Sequence, residues 1–545
     1  MALLLDLFGY LSIVLHGIGN AAQAGVLGAI VFLTFLLRPL VPRLGEVALG
    51  IAASAARVGG IGALLLAVAA GLEIAMQATL LMTTVELSLL EAIGASSALA
   101  MLTKAGAALA LAVLFARRGG GAPLPVLLML GGVVLVAATL TTHAAARLHD
   151  RAPLLAFSAL HQLGAAIWIG GLPCFLLALR QVEGGNNWRL IGARYSRMAM
   201  LGVAIIITSG LLLCLSYIGS WQGLYGTAYG AMVGAKIAML CLLLVLGAGN
   251  FLLVERLRRD PATPINRLRC FTEVEIGIGL TIFLAAASLT SVPPAIDIPA
   301  AQASWQEILD RNTPHWPRLA SPAHDTLALP ALQAQLGAAM RHEHAFVPGA
   351  GVLAPRNAAD VAWSEYNHHW AGIFVALIGV LALLERVGLR AARHWPLVFL
   401  GLAGFLLLRS DPEVWPLGPV GFWESLRDVE VLQHRIAALL VAGFAIFEWR
   451  VRAGGLIGSR AAYVFPVLSA VGGALLLTHS HAISDLKEAL LIELSHTALA
   501  LFGIIAGWAR WLELRLDPPG NRFAGWIWPF ALLAVGLILL SYREA

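Results

Sequence analysis

The chain is a succession of long, largely apolar runs separated by short polar interruptions. The runs cover about 8–37, 52–80, 97–116, 123–142, 152–179, 196–220, 229–254, 273–292, 369–389, 395–409, 430–449, 462–480, 488–513 and 524–542. Most meet the roughly 20 apolar residues that a helix needs to cross a hydrocarbon core about 30 Å thick. Inside that core every backbone amide and carbonyl must be paired, which leaves helices or a closed barrel. A barrel strand alternates apolar and polar positions, and these runs do not. The pattern therefore predicts an all-α, polytopic transmembrane bundle of about 14 helices. The run at 395–409 is short for a crossing, and the polar-interrupted stretch Thr83–Gly94 is compatible with a surface helix.

The pattern breaks once, between Val292 and Asn367, where Pro, Ala and Asp accumulate. This divides the chain into an eight-helix unit (1–292), an outer loop (293–367) in which Leu329–His342 reads as partly helical, and a six-helix unit (368–545). No internal repeat of fixed period is evident. The first run has no basic residue before it and is too long for a signal-peptide core, so it is expected to be a retained span.

Composition sharpens this picture in two places. Of 545 residues 59% are hydrophobic and 12% charged, with a formal net charge of +5. The 36 Lys and Arg residues sit mostly in alternate loops, the bias that sets orientation rather than a nucleic-acid surface. With both termini outside, every inner loop carries at least two basic residues. The four cysteines, Cys174, Cys214, Cys241 and Cys270, show no CxxC spacing and are read as small core residues rather than a disulfide or thiolate site.

On that topology all 15 histidines except His394 fall in the outer half or the outer loops. Surface polarity accounts for His315, His324, His342 and His344, but not for histidines within helices, where an ionisable side chain is by default a functional hypothesis. His16, His161 and His496 each lie about nine residues below an outer helix end, roughly 13 Å deep. His143, His149, His434, His479 and His481 sit higher. His479 and His481 would diverge by about 200° on a helix, but beyond a helix end they can aim the same way. Imidazole suits copper, zinc, nickel and haem iron, with divalent affinity peaking at copper. In the second run Glu73, Met76 and Gln77 lie on adjacent turns, a set able to line a polar path. No nucleophile–base pair or nucleotide-binding motif is present, so catalysis is not expected, and any transport would be passive or coupled to a gradient.

Residues 142–172, with T-H-A closing one run and H-Q-L-G-A-A-I-W-I-G-G-L in the next, resemble the copper resistance D family of bacterial inner-membrane proteins. L-H-G at 15–17, R-P-L at 38–40, Y-G-A-M-V-G-A-K at 229–236, and E-I-G-I-G-L at 275–280 closing with S-V-P-P-A at 291–295 look like family features in the same order. The second unit, with Q-H-R at 433–435, T-H-S-H at 478–481, E-L-S-H-T at 493–497 and G-W-A-R-W-L-E at 507–513, is similar more weakly to the extension of longer members. The resemblance implies a multi-pass protein of the bacterial inner membrane that handles copper, usually described as moving it from periplasm to cytoplasm, often beside a small periplasmic CopC-type copper-binding protein. It makes His16, His143 and His161 the family-like histidines and places Lys236 and Glu275 at polar family positions.

Two readings stay open. In the first, a copper permease, outer histidines capture the ion, the deeper set His16, His143 and His161 receives it, and it is released inward by way of Glu73. In the second, a membrane metalloprotein that does not transport, His434, His481 and His496 ligate haem b or a fixed copper for electron transfer or for loading a partner.

Overall fold

The computed structural model describes residues 2–85, 87–322, 358–412, 414–478 and 486–544. Helices dominate it, and among the described residues there is no β-strand, only one isolated bridge between Val414 and Val420. Twelve helical segments are long and apolar enough to cross a membrane, and two shorter apolar helices, Leu124–Thr139 and Arg460–Leu476, accompany them. The all-α polytopic bundle expected from the apolar runs is thus what the chain forms.

Contacts divide the chain into two compact units, Met1–Gln302 with Leu477–Ser480, and Ala303–Leu476 with His481–Ala545. The first unit contains α1 (Ala2–Val31), α2 (Val47–Thr84), α3 (Ser96–Arg118), α4 (Leu124–Thr139), α5 (Arg151–Ala165), α6 (Gly185–Tyr217), α7 (Ala228–Arg259) and α8 (Asn266–Ser288). α1 runs on through a π-helical stretch, Phe32–Leu37, and α5 through another, Ala166–Gly170, into Leu172–Gln181. The polar interruption after α2 is a short helix, Leu89–Gly94, opened by a reciprocal cap in which Ser88 and Glu91 satisfy each other's backbone amides. Sharp exits from helices use glycine where φ is positive, as at Gly119 (φ 53°) after α3, because a Cβ disfavours that region.

Small residues set how closely these helices approach. A Cβ on Gly170 would stand 1.9 Å from the Ala24 carbonyl oxygen, and one on Gly28 would stand 2.2 Å from the Gly170 carbonyl carbon. α1 is therefore pressed against the π-helical stretch of α5 backbone to backbone. Gly164 of α5 and Gly202 of α6 make a similar contact, each within 3.0 Å of the other's carbonyl oxygen once a Cβ is imagined. Lipid tails are as apolar as side chains, so close packing of this kind, rather than hydrophobic burial, is what holds membrane helices together.

The second unit contains α9 (Ala358–Val387), α10 (Val398–Arg409), α11 (Val429–Ala453), α12 (Val464–Leu476), α13 (Leu486–Arg515) and α14 (Gly520–Leu540). The short run at 395–409 becomes a 20-residue span by joining a 3-10 stretch, Arg390–Leu397, to α10. Gly379 of α9 and Gly536 of α14 supply the close approach, with an added Cβ 2.6 Å from the Leu533 nitrogen and 2.3 Å from the Ala376 nitrogen. Leu329–His342, expected to be partly helical, lies outside the described residues.

Candidate metal-handling sites

In the first unit, three helices bring ionisable groups together in the bundle interior. α1 carries His16, α2 carries Glu73 and α3 carries Lys104. His16 Nδ1 lies 3.6 Å from Glu73 Oε1. Glu73 is 8% exposed and Lys104 5%, and Glu73 is the carboxylate whose charge reaches the buried ammonium. An ammonium in hydrocarbon is costly, and the charge of Glu73, acting from beyond ion-pair distance, offsets part of that cost. Met76 is buried one turn along, whereas Gln77 faces outward. Of the three, Glu73 and Met76 thus lie within the unit and Gln77, about 40° round the helix from Glu73, lies at its surface.

His161, on α5, is held by α6. Its Nδ1 lies 3.1 Å from Ser209 Oγ, and Ser209 Oγ itself donates its single proton to the Ile205 carbonyl at 2.6 Å. The hydroxyl is therefore the acceptor and His161 Nδ1 the donor, which leaves the imidazole lone pair on Nε2. This is the orientation in which a histidine ligates a metal through one nitrogen while the other is fixed by the protein. Lys236 of α7 is near enough for its charge to act on the His161 ring. Next to His161 in sequence, Gln162 accepts through Oε1 from Gln23 Nε2 of α1 at 2.7 Å.

His143 opens a short helix, His143–Ala146, after α4, and its Nε2 donates to the Leu289 carbonyl at 3.2 Å. Its lone pair is therefore on Nδ1, the reverse of His161. His149 is exposed in the loop before α5. Deeper, Asn250 of α7 donates to Glu275 Oε2 of α8 at 2.9 Å, and both residues are buried. Glu275 Oε1 and Asn250 Oδ1 are buried with no hydrogen-bond partner, leaving carboxylate capacity in the interior for a proton or a cation.

The second unit holds a histidine cluster that the sequence reading did not assemble. His368 of α9 stacks on Tyr542 with ring centroids 3.9 Å apart, and His496 of α13 stands edge-on to His368 at 6.4 Å and to Tyr542 at 6.0 Å. His368 Nδ1 donates to the Ser364 carbonyl at 2.8 Å and His496 Nδ1 to the Ile492 carbonyl at 2.9 Å. Each ring is thus anchored through Nδ1 to a carbonyl of its own helix. The neighbouring His369 is buried with both nitrogens used structurally, one accepting from the Arg318 amide at 2.7 Å and one donating to the Tyr542 carbonyl at 2.8 Å. His434 of α11 makes a separate contact, its Nδ1 2.6 Å from Asp411 Oδ1, a carboxylate–histidine pair. His479 and His481 lie outside the described residues.

Elsewhere in this unit several buried charges pair with one another. Arg452 pairs with Glu448 at 2.7 Å and Glu385 at 3.1 Å, Arg510 pairs with Glu513 at 2.5 Å, and Arg386 pairs with the same Glu513. Arg452 also lies over the Trp395 and Trp528 rings at 4.5 and 5.0 Å. On the inner side His394 Nδ1 accepts from Trp449 Nε1 at 2.9 Å.

Among the described residues no group of three or more His, Cys, Asp or Glu side chains converges tightly enough to hold a metal ion unaided. His16, His143 and His161 occupy three separate settings, and what joins them is their common unit rather than a shared coordination sphere. Lys104, Ser209, Asn250 and His368 were not singled out from the sequence. A lysine in mid-helix was a visible signal, whereas Ser209 and Asn250 acquire meaning only from the residue they face.

Residues 189–289 match the family model for copper resistance protein D. The match takes in most of α6, α7 and α8, and with them Ser209, Lys236, Asn250 and Glu275, while the 142–172 stretch lies before it. The chain is also similar to the copper transport protein CutJ of Bacillus subtilis (strain 168), 34% identical over 164 residues, which spans 29% of this chain and 29% of that protein. No solved structure matches. The resemblance read from the sequence is supported over these segments of a multi-pass membrane protein.

Proposed function

We propose that this protein binds copper at the outer face of a bacterial inner membrane, with both termini outside, and moves it toward the cytoplasm through the first unit. The observation that carries the proposal is His161, an intramembrane imidazole fixed by Ser209 so that Nε2 presents its lone pair. The copper resistance protein D match over α6–α8 and the similarity to a copper transport protein support copper as the cargo. His143 and His149 receive the ion near the outer rim, His161 and His16 take it within the bilayer, and Glu73, Met76 and Glu275 offer the oxygen and sulfur ligands beyond. The ammonium of Lys236 beside His161 opposes a doubly charged ion more than a singly charged one. A periplasmic CopC-type donor would deliver copper to this face. This is transport rather than catalysis.

Copper uptake into proteoliposomes tests the site directly. Uptake should fall at least tenfold in His161→Ala and be largely retained in Ser209→Thr, which keeps the hydroxyl acceptor. Uptake that survives His161→Ala at the wild-type rate would sink the proposed path.

A second reading, a fixed metal in the second unit, copper or haem b, is favoured by the carboxylate–histidine pair of Asp411 and His434, 2.6 Å apart, the kind of contact that orients an imidazole toward a metal. A visible spectrum with metal analysis separates the alternatives: a Soret band establishes haem in this unit and defeats a copper-only account.

A further inference from the structure

A cleft of about 350 Å³ in the first unit is lined by five arginines, Arg43, Arg189, Arg194, Arg197 and Arg258, together with Leu40, Leu190 and Ala193. None of its lining residues is acidic. Arg189, Arg194 and Arg197 come from the first half of α6, Arg43 comes from the short helix Val41–Leu44 that follows α1, and Arg258 comes from the last turn of α7. Arg194 is aimed by a hydrogen bond from Nε to the Phe35 carbonyl at 2.7 Å, in the π-helical stretch. Arg258 has a carboxylate partner, Glu255 at 2.9 Å, outside the cleft lining. This contrasts with the second unit, where Arg386, Arg452 and Arg510 each meet a glutamate.

Five guanidinium groups around one space repel one another unless an anion enters. Guanidinium is a planar fork that binds the oxygens of a phosphate two at a time. The position of the cleft narrows the class further. α6 has 33 residues, about 50 Å of helix, against roughly 30 Å of hydrocarbon. Its arginine-bearing first turns therefore project into the headgroup layer, and basic pockets between helix ends at that level suit acidic lipid headgroups. The apolar lining from Leu40, Leu190 and Ala193 fits the glycerol and upper acyl part of such a lipid and has no use for a free phosphate. We propose that this cleft is a binding site for the phosphate headgroup of an acidic phospholipid.

The full-length protein, purified in mild detergent, is examined by native mass spectrometry with phosphatidylglycerol, phosphatidylcholine or pyrophosphate added. Wild type should retain one phosphatidylglycerol per chain in preference to phosphatidylcholine. Arg43→Gln and Arg189→Gln should each weaken retention about fivefold, the effect expected for one basic residue at a membrane surface, and the triple variant with Arg197→Gln should weaken it further. Arg259→Gln, which removes a charge on α7 outside the cleft, should leave retention within twofold. Equal retention in wild type and in both single variants overturns the site. A loss in Arg259→Gln as large as in Arg43→Gln also overturns it, by showing bulk charge alone. Pyrophosphate binding that depends on Arg43 and Arg189, without preference for phosphatidylglycerol, overturns the lipid assignment and makes the cleft a site for a soluble phosphate compound.

Discussion

Glu73→Gln is the most informative single change in the first unit. The substitution keeps the side chain's size and removes only its charge. Glu73 stands 3.6 Å from His16 Nδ1 and is the acid acting on Lys104, which is 5% exposed. A carboxylate and an ammonium 4 Å apart gain about 4 kcal/mol at an effective dielectric constant of 20. Lys104 is not within ion-pair reach of Glu73, so about 2 kcal/mol of destabilisation is expected from leaving the ammonium unbalanced. The assay is unfolding in mixed micelles followed by tryptophan fluorescence, run on Glu73→Gln, Lys104→Met and the double variant. If the carboxylate's structural task is to balance the lysine, the double variant should recover most of the lost stability, a coupling of about 2 kcal/mol in the cycle. Copper uptake separates the functional task, since the double variant should remain deficient even when its stability is restored. Additive stability effects within about 0.5 kcal/mol would refute the charge-balance argument. Restored uptake in the double variant would remove Glu73 from the proposed path.

Two other outcomes follow from packing and electrostatics. Gly170→Ala should lower stability by about 1–3 kcal/mol, because the new Cβ meets the Ala24 backbone at 1.9 Å, whereas Gly106→Ala, with nothing within 4 Å of the added carbon, should be neutral or stabilising; equal thermal shifts for the two would discredit the close α1–α5 contact. In the short helix Trp305–Asn312, the Glu307 carboxylate accepts from the Ser304 amide at 2.6 Å and from Lys487 at 3.0 Å, contacts that hold its pKa down at about 2. A lowered folded-state pKa means that this contribution is present above about pH 4.5 and is lost as pH falls through 2. Trp305 fluorescence should therefore change across that window in wild type and stay flat in Glu307→Gln.

The membrane helices were legible because hydrocarbon leaves the chain few alternatives, and an apolar run of the right length has little else to become. Even the short run at 395–409 found its missing length in the preceding Arg390–Leu397 stretch. The candidate sites were legible only in part. That His16, His161 and His496 sit in helices follows from their neighbours in sequence. Which nitrogen each presents depends on a carbonyl or a hydroxyl whose role is set by the fold, as Ser209 is set by Ile205. His368 was invisible as a partner of His496 because more than a hundred residues separate them, and whether Gln77, about 40° round the helix from Glu73, is buried with it depends on which helices pack against α2.

The two units arrange most of their buried charge differently, and this bears on where function lies. In the second, Glu385, Glu448 and Glu513 face Arg386, Arg452 and Arg510, with Trp395 and Trp528 closing over the guanidinium groups. A network balanced in this way holds itself together, and a purely structural role accounts for it. In the first, the ionisable groups are few and incompletely matched: one glutamate serves both His16 and Lys104, Lys236 acts on a histidine rather than an acid, and Glu275 keeps an oxygen without a partner. Such groups reduce stability, and apolar residues of similar volume would serve the bundle better. Their presence is explained if an ion passes among them and completes, one after another, the pairings that the protein alone leaves open.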